Sequence, residues 1–161
     1  MAFSHALNPG EWYNTGNIEM MTSKGIVTVP SDRVAKREKT CKYKLLCDRA
    51  GGMMDGKQTS VIHGLNIIKP NVIHNGSFIS FTTQKGSIED ITMIKKYLSC
   101  KLPRFILLVY TANKLGIPVK AFEHVPLIEL STEITDQDLY QLYNITQEEI
   151  DYIDRLIKPM E

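Results

Sequence analysis

The sequence lacks the features of several specialised protein classes. Its most apolar run, at 105–110, is far shorter than the roughly 20 residues that span a bilayer, so we expect no membrane contact. No basic start is followed by an apolar run, and we therefore expect no signal peptide. The three cysteines, Cys41, Cys47 and Cys100, are odd in number and have no metal-type spacing. Reduced thiols in a cytoplasmic protein are the plain interpretation.

The composition that remains is typical of a folded globular protein. The chain has 161 residues, of which 43% are hydrophobic and 23% charged, and it shows no internal repeat or low-complexity tract. This length is enough for one domain with a real core. We expect a weakly patterned N-terminal arm over 1–25, with Trp12 and Tyr13 as candidate anchors, followed by a single domain over 26–161.

Two helices that meet at Pro103 are expected to form the core. Ser87 can cap the first, with Asp90 three residues later as in a capping box. An apolar stripe follows at helical spacing: Ile88, Ile91, Ile94 and Leu98. Pro103 must lie in a first turn or at a kink. The second helix, over 103–115, is apolar on every face at 105–110, which predicts burial all round.

Short strands and two more helices complete the predicted architecture. The strand candidates are 26–29, 43–47, 60–63, 65–68, 77–82 and 119–125. Thr135 with Asp138 and Thr146 with Glu149 predict two capped C-terminal helices. In the first of these we expect Leu139, Leu142 and Tyr143 to point inward, and in the second Ile150, Ile153 and Ile157. The fold class is therefore α+β: short, mostly antiparallel strands packed on a central helix pair, with two small C-terminal helices.

The small net charge of +1 conceals a strong segregation. Residues 121–161 carry ten acidic and two basic side chains, a net of −8, whereas residues 1–120 carry 17 basic and eight acidic, a net of +9. The first part is therefore a candidate to face a polyanion. The alternative is that the charges only decorate two solvated faces.

An ordered set of short matches runs through the C-terminal half. It begins at Ser77-Phe-Ile, a helix ending Lys96-Tyr-Leu98 and Arg104-Phe-Ile-Leu107, and ends at Ile157-Lys-Pro-Met160. Between them stand Lys114, Val125-Pro126, Thr135-Asp136, Leu139-Tyr140, Tyr143 and Glu148-Glu149-Ile150. The set resembles the C-terminal target-recognition region of adenine-specific DNA methyltransferases of bacterial restriction–modification systems, including fused methylase–endonucleases. The resemblance is clearest over 77–160 and implies a domain that docks on duplex DNA and sets the sequence to be modified.

The chain departs from that family where catalysis is concerned. Such enzymes carry an Asn/Asp-Pro-Pro-aromatic motif and a glycine-rich S-adenosylmethionine loop in a separate domain. Here Asn8-Pro-Gly-Glu11 lacks both the second proline and the aromatic residue. We therefore expect no catalytic residues and no cofactor in this chain, and partners in double-stranded DNA and a methyltransferase or endonuclease catalytic chain.

The basic stretch 33–44 supplies most of the candidate DNA contacts. It holds six basic residues against one acidic residue, Glu38. Lysines contact phosphates, whereas Arg37 and Arg49 are better suited to reading bases because a guanidinium can bond two acceptors on guanine. The predicted DNA-binding set is Lys36, Arg37, Lys39, Lys42, Lys44, Arg49, Lys57 and Lys85. Ser80 and Thr82 lie on strand ends that could flank a DNA-binding groove formed by these residues. The alternative for the stretch is a solvated strand edge protected by lysines.

Other candidates have structural alternatives of equal or greater weight. Arg104 could contact DNA or form an internal ion pair with the acidic tail, and Lys114 could reach a phosphate or satisfy the last carbonyls of its helix. His63 and His74 are expected to be structural, since no metal-ligand spacing surrounds them. Asp32 with Asp55-Gly-Lys57 loosely imitates the site of a small Mg²⁺-dependent nuclease, but Asp-Gly is also a hairpin turn. A third alternative is a protein-interaction module that mimics the recognition region, with Tyr140, Tyr143 and Tyr152 of the acidic tail against another chain.

Overall fold

The computed structural model describes residues 13–34, 41–49, 58–111, 116–129 and 134–160. It confirms the α+β class, with small sheets paired mainly antiparallel, two long helices and two short C-terminal helices. The chain divides into two compact units. The first comprises 1–47 and 66–91, and the second comprises 48–65 and 92–161. The prediction of one domain over 26–161 stays a prediction. None of the helices in the described ranges combines the length and apolar character needed to cross a membrane.

The first sheet of the first unit is built on a hairpin. Strands β1 (Ile18–Thr22) and β2 (Gly25–Val29) pair antiparallel, and β1 also pairs in parallel with β5 (Ile73–His74). Met20, Val29 and Ile73 are buried together, and Tyr13 packs against them. Strand β1 thus lies within the predicted N-terminal arm 1–25 and contributes Met20 to the core. Pro30 follows β2 directly, where a proline can end a strand because it has no N–H to donate.

The second sheet has the order β4-β3-β6, with β3 at Lys44–Asp48, β4 at Asn66–Ile68 and β6 at Phe78–Phe81. β3 and β4 run antiparallel, with Leu45 opposite Ile67. Leu45, Leu46 and Cys47 are fully buried in succession. A strand buried on both faces carries apolar residues without alternation, which explains why the sequence shows no period of two here. The strands predicted at 43–47, 65–68 and 77–82 are confirmed.

The second unit is organised around helix α2 (Lys101–Thr111), which contacts a 3₁₀ helix at Val119–His124, α3 (Asp136–Leu142) and α4 (Gln147–Leu156). Pro103 lies in the first turn of α2, as predicted. The expectation of burial on every face is wrong. Leu107 and Leu108 are buried, but Val109 is 59% and Tyr110 45% exposed, because α2 is covered on one side only.

Helix α1 (Ile88–Ser99) precedes α2 and starts where the sequence predicts. The hydroxyl of Ser87 accepts a hydrogen bond from the backbone N–H of Asp90, so Ser87 is the N-cap. The two C-terminal helices also begin at their predicted caps, with reciprocal capping boxes at Thr135/Asp138 and Thr146/Glu149. These starts are encoded locally, because a capping box involves only residues three apart.

Two predicted strands and one predicted helix face are corrected. Residues 60–63 form no strand, with bends at 61 and 62, and 119–125 contains the 3₁₀ helix rather than a strand. In α3, Leu139 and Tyr140 are buried, whereas Leu142 is 58% exposed. A helix of two turns has room for one narrow buried face, and positions 139 and 140 occupy it. In α4, Ile153 is buried and Ile157 is buried just beyond the last turn, as predicted.

Candidate nucleic-acid interface

The described end of the basic stretch is attached to the turn that leads into α1. The backbone N–H of Tyr43 donates to the carbonyl of Gly86 over 3.1 Å, and the Lys42 ammonium donates to the carbonyl of Gln84 over 2.5 Å. The hydroxyl of Thr82 donates to the carbonyl of Tyr43 over 2.9 Å. We call residues 41–43 and 82–86 the basic edge. Its cationic side chains are Lys42, from the first segment of the unit (1–47), and Lys85, from the second (66–91).

The turn of the basic edge is itself fixed by side-chain hydrogen bonds. The hydroxyl of Thr83 accepts from the backbone N–H of Gly86 over 2.8 Å and donates to the carboxylate of Asp90 over 2.7 Å. Gly86 has a φ of +67°, and a Cβ added there would lie 2.5 Å from the Cβ of Lys42. Glycine is therefore required both for the backbone conformation and for the close passage of the Lys42 stem.

The predicted DNA-binding residues fall into four groups according to where they lie. Lys42 and Lys85 are brought to the basic edge, where Lys42 is half-buried and Lys85 exposed. Arg49 is exposed and belongs to the second unit, where its backbone carbonyl accepts from the N–H of Ile117. Lys44 is buried in the first unit. The others lie outside the described residues: Lys36, Arg37, Lys39 and Lys57.

Lys44 is 4% exposed, and its ammonium donates to the carbonyl of Lys42. Burial lowers the pKa of Lys44, and the neighbouring Cys41 opposes that shift. Such a side chain has no open surface with which to meet a phosphate. This corrects the expectation for Lys44, which occupies a central strand of the second sheet rather than a solvated edge.

His74 lies in the same unit and is likewise buried. Its Nδ1 lies 2.8 Å from the carbonyl oxygen of Asn75, and because a carbonyl only accepts, Nδ1 carries the proton. Burial is the main cause that lowers the pKa of His74 to about 4; the charge of Lys44 contributes to the shift, and the hydrogen bond to Asn75 opposes it. The imidazole is therefore neutral at physiological pH, and its edge-on contact with Phe78 fits the expected structural role.

Arg104 is completely buried in the second unit. Its Nε donates to the carbonyl of Cys100 over 3.1 Å, and its Nη1 donates to the carbonyls of Ser60 and Lys158 over 3.3 and 2.7 Å. Burial lowers the pKa of Arg104, and the nearby carboxylate of Asp136 opposes the shift. Of the two alternatives, the internal one holds, although its hydrogen-bonded acceptors are backbone carbonyls rather than a carboxylate.

The described residues contain no group of three metal-ligating side chains. Asp32, one half of the nuclease hypothesis, is exposed and lies 3.7 Å from Nε of Arg33, whereas Asp55 and Lys57 fall outside the described ranges. His63 lies beside the hydroxyl of Ser60. Burial raises the pKa of the Cys100 thiol to about 12, and the thiol donates to the carbonyl of Lys96, so it is a structural group rather than a nucleophile.

The pairing of segments 41–43 and 82–86 was not predicted. Its local signals are present in the sequence, since a glycine between Lys85 and the cap Ser87 suggests a positive φ before a helix. The residue that packs against this glycine, Lys42, lies 44 residues earlier, and no local sequence pattern predicts that contact. In comparisons with known proteins, no family model, curated protein or solved structure matches this chain.

Proposed function

We propose that this chain is a non-catalytic DNA-recognition domain of a restriction–modification methyltransferase or endonuclease. It binds duplex DNA and sets the target sequence, and the chemistry is performed by a separate catalytic chain in the cytoplasm. The observation that carries the proposal is the basic edge, where the end of the 33–44 stretch is hydrogen-bonded to the turn bearing Lys85.

The basic edge is suited to phosphate contact for two reasons. The Lys42 ammonium uses one donor on Gln84, which orients the side chain without neutralising its charge. Lys85 is exposed on the same turn, so two cations are presented by segments that hydrogen bonds hold in register. Residues 36–39, directly before this edge in sequence, add Lys36, Arg37 and Lys39. Phosphate contacts of this kind supply affinity and register, and base contacts supply the sequence preference.

A division of labour follows between the lysines and the two arginines. Lys42 and Lys85 contribute to binding of any duplex, because phosphates carry no sequence information. Arg37 and Arg49 discriminate between targets, since a guanidinium can bond bidentately to the O6 and N7 of guanine. The three cysteines, Cys41, Cys47 and Cys100, are thiols that form no disulfide, which is compatible with the reducing cytoplasm in which such systems act.

The test is a fluorescence-anisotropy titration of the whole chain against a random-sequence duplex at several salt concentrations. We expect log Kd to depend linearly on log salt, with about 0.9 contributed by each phosphate contacted. Lys42→Ala and Lys85→Ala should each reduce that slope by about one. Lys24→Ala is the matched control, because Lys24 is exposed in the β1–β2 turn of the same unit. Salt-independent binding, or none, would reject the proposal.

Arg37→Ala and Arg49→Ala test sequence reading. On a duplex selected for tight binding, each should weaken binding by about ten-fold, with little effect on random duplex. The titration is repeated with Mg²⁺ and the DNA is run on a denaturing gel. Mg²⁺-dependent cleavage that Asp55→Ala abolishes would replace the proposal with the nuclease alternative.

A further inference from the structure

Two exposed aromatic rings of the second unit lie face to face. The rings of Tyr110, on α2, and His124, at the end of the 3₁₀ helix, have centroids 3.6 Å apart and planes only 3° from parallel. Each ring covers one face of the other, yet Tyr110 is still 45% exposed and His124 is exposed as well. The pair therefore presents flat aromatic surface to a planar ring that approaches from the solvent.

This arrangement differs from that of another exposed aromatic residue in the same unit. Tyr152, on α4, is 48% exposed, but it meets Phe105 edge-on, with ring planes 89° apart. The guanidinium carbon of Arg155 lies over the Tyr152 ring, 5.3 Å from its centroid, so a cation already occupies that face. The parallel stack of Tyr110 and His124, by contrast, has the geometry in which a nucleobase packs on an aromatic side chain.

Arg49 is joined to the segment that carries His124. Its backbone carbonyl accepts a 2.9 Å hydrogen bond from the N–H of Ile117, two residues before the 3₁₀ helix starts. A 3₁₀ helix rises about 2 Å per residue, so the stretch from Val119 to His124 is about 10 Å long. Arg49, to which we assign base reading, thus lies towards one end of this helix and the stack lies at the other. Four stacked nucleotides, at about 3.4 Å each, span a similar distance.

Electrostatic attraction contributes little beside the stack. Lys120 and Glu123 are both exposed and stand one 3₁₀ turn apart, so their opposite charges offset each other. Residues 121–161 carry a net charge of −8, which disfavours a long run of phosphates. A ligand of the stack must therefore gain its affinity from its planar ring rather than from its charge.

We propose that the Tyr110–His124 stack binds an unpaired base of single-stranded DNA. The choice of a nucleobase among planar rings rests on the proposed function, which it extends from duplex binding to a short single-stranded segment. The base extends the stack by one ring. Because every base has a π-face, stacking tolerates all four bases, and the site adds affinity without changing the target sequence.

The probe is a fluorescein-labelled thymidine tetranucleotide, titrated against the whole chain by fluorescence anisotropy. Its matched control keeps the sugar–phosphate backbone but carries four abasic sites. We expect the thymidine tetranucleotide to bind at least about ten-fold more tightly than the abasic one, as expected for one base stacked on an aromatic side chain. Because few phosphates take part, its log Kd should vary much less steeply with log salt than that of the duplex.

Three variants of the stack locate the binding. Tyr110→Leu and His124→Leu should each weaken binding of the thymidine tetranucleotide by about five-fold or more, whereas Tyr110→Phe, which keeps the ring, should bind like the wild type. Tyr152→Leu is the control, because Tyr152 is exposed to a similar extent and lies outside the stack; its affinity should equal that of the wild type. Circular dichroism spectra identical to that of the wild type verify that each variant is folded.

Equal binding of the abasic tetranucleotide would overturn the proposal, as would unchanged affinity in Tyr110→Leu. Equal losses in Tyr110→Phe and Tyr110→Leu would also overturn it, since the phenol hydroxyl rather than the ring would then be recognised. Loss of binding in the duplex titration, with base-dependent binding of the tetranucleotide intact, would reject the proposed function and leave this site standing. The converse result would reject this site alone.

Discussion

The guanidinium of Arg104 donates a 2.7 Å hydrogen bond to the backbone carbonyl of Lys158, 54 residues later in the chain. The same guanidinium holds the carbonyls of Ser60 and Cys100. It therefore joins the start of α2 to two segments that also pair with each other through the Thr59–Ile157 bridge. The fully buried guanidinium of Arg104 therefore has a structural role: it holds these backbone segments of the second unit together.

Replacing Arg104 should destabilise the protein without a specific effect on its affinity for DNA. Arg104→Met removes three charge-assisted hydrogen bonds and leaves the carbonyls that accepted them without this donor. We therefore expect a loss of about 3 kcal/mol or more in the free energy of unfolding. Arg104→Lys should also destabilise, because one ammonium cannot reproduce the planar fork. Urea denaturation measures this. Arg155→Met, at an exposed position, should lower the free energy of unfolding much less. An equal loss in the two variants would contradict the proposed role of Arg104 in holding these segments together.

Tyr140 and Tyr97 form a matched pair for testing buried hydroxyls. The hydroxyl of Tyr140 is buried with no hydrogen-bond partner among the described residues, whereas that of Tyr97 donates to Pro126. Tyr140→Phe should therefore leave stability unchanged or raise it by up to about 1 kcal/mol. Tyr97→Phe should lower it by about 1 kcal/mol. Thermal unfolding of the two variants measures the difference, and the opposite order would show that the Tyr140 hydroxyl is bonded.

His74 should make the protein acid-sensitive. The unfolded histidine binds a proton near pH 6.5, but in the folded protein burial lowers its pKa to about 4. Between these values the unfolded state holds more protons, so stability is full above pH 6.5 and falls as the pH drops towards 4. The loss from this group is at most roughly 3 kcal/mol. In urea titrations from pH 7 to 4, His74→Gln should show a shallower decline; an identical decline would assign the acid sensitivity elsewhere.

Gly86→Ala should affect both stability and the basic edge. An alanine at φ +67° is strained, and its Cβ would crowd the stem of Lys42. We expect a loss of about 1 kcal/mol or more in stability, together with weaker binding of random duplex DNA. Gly25→Ala is the comparison, since Gly25 also has a positive φ but nothing lies within 4 Å of its added Cβ. The Gly25→Ala variant should lose stability and keep its affinity for DNA. If both glycine variants lost affinity equally, the position of Lys42 would not be what determines DNA binding.

The predictions that succeeded rest on short-range chemistry. Thr135 and Thr146 start α3 and α4 because each hydroxyl bonds a backbone N–H three residues away, and Ser87 caps α1 in the same way. Pro103 lies in a first turn because it has no N–H to donate. The candidate site was only partly predicted. Lys42 and Lys85 do meet at one edge, but Lys44, in the same basic stretch, is buried because β4 and β6 flank its strand.

The predictions that failed depend on what lies opposite a segment. Residues 60–63 have β-like composition, yet they bend, and their carbonyls bind Arg104 at Ser60 and the Asp48 N–H at His63. Leu142 has the helical spacing of a core residue, but α3 buries Leu139 and Tyr140 instead.

The sequence by itself determined the α+β class, the helix starts and the charge segregation, since each depends on residues within about one turn or on composition. Tertiary structure alone decided which cations are buried, which leucines are exposed and which distant segments form the basic edge. Burial and long-range hydrogen bonding depend on partners tens of residues away, and no local pattern encodes them.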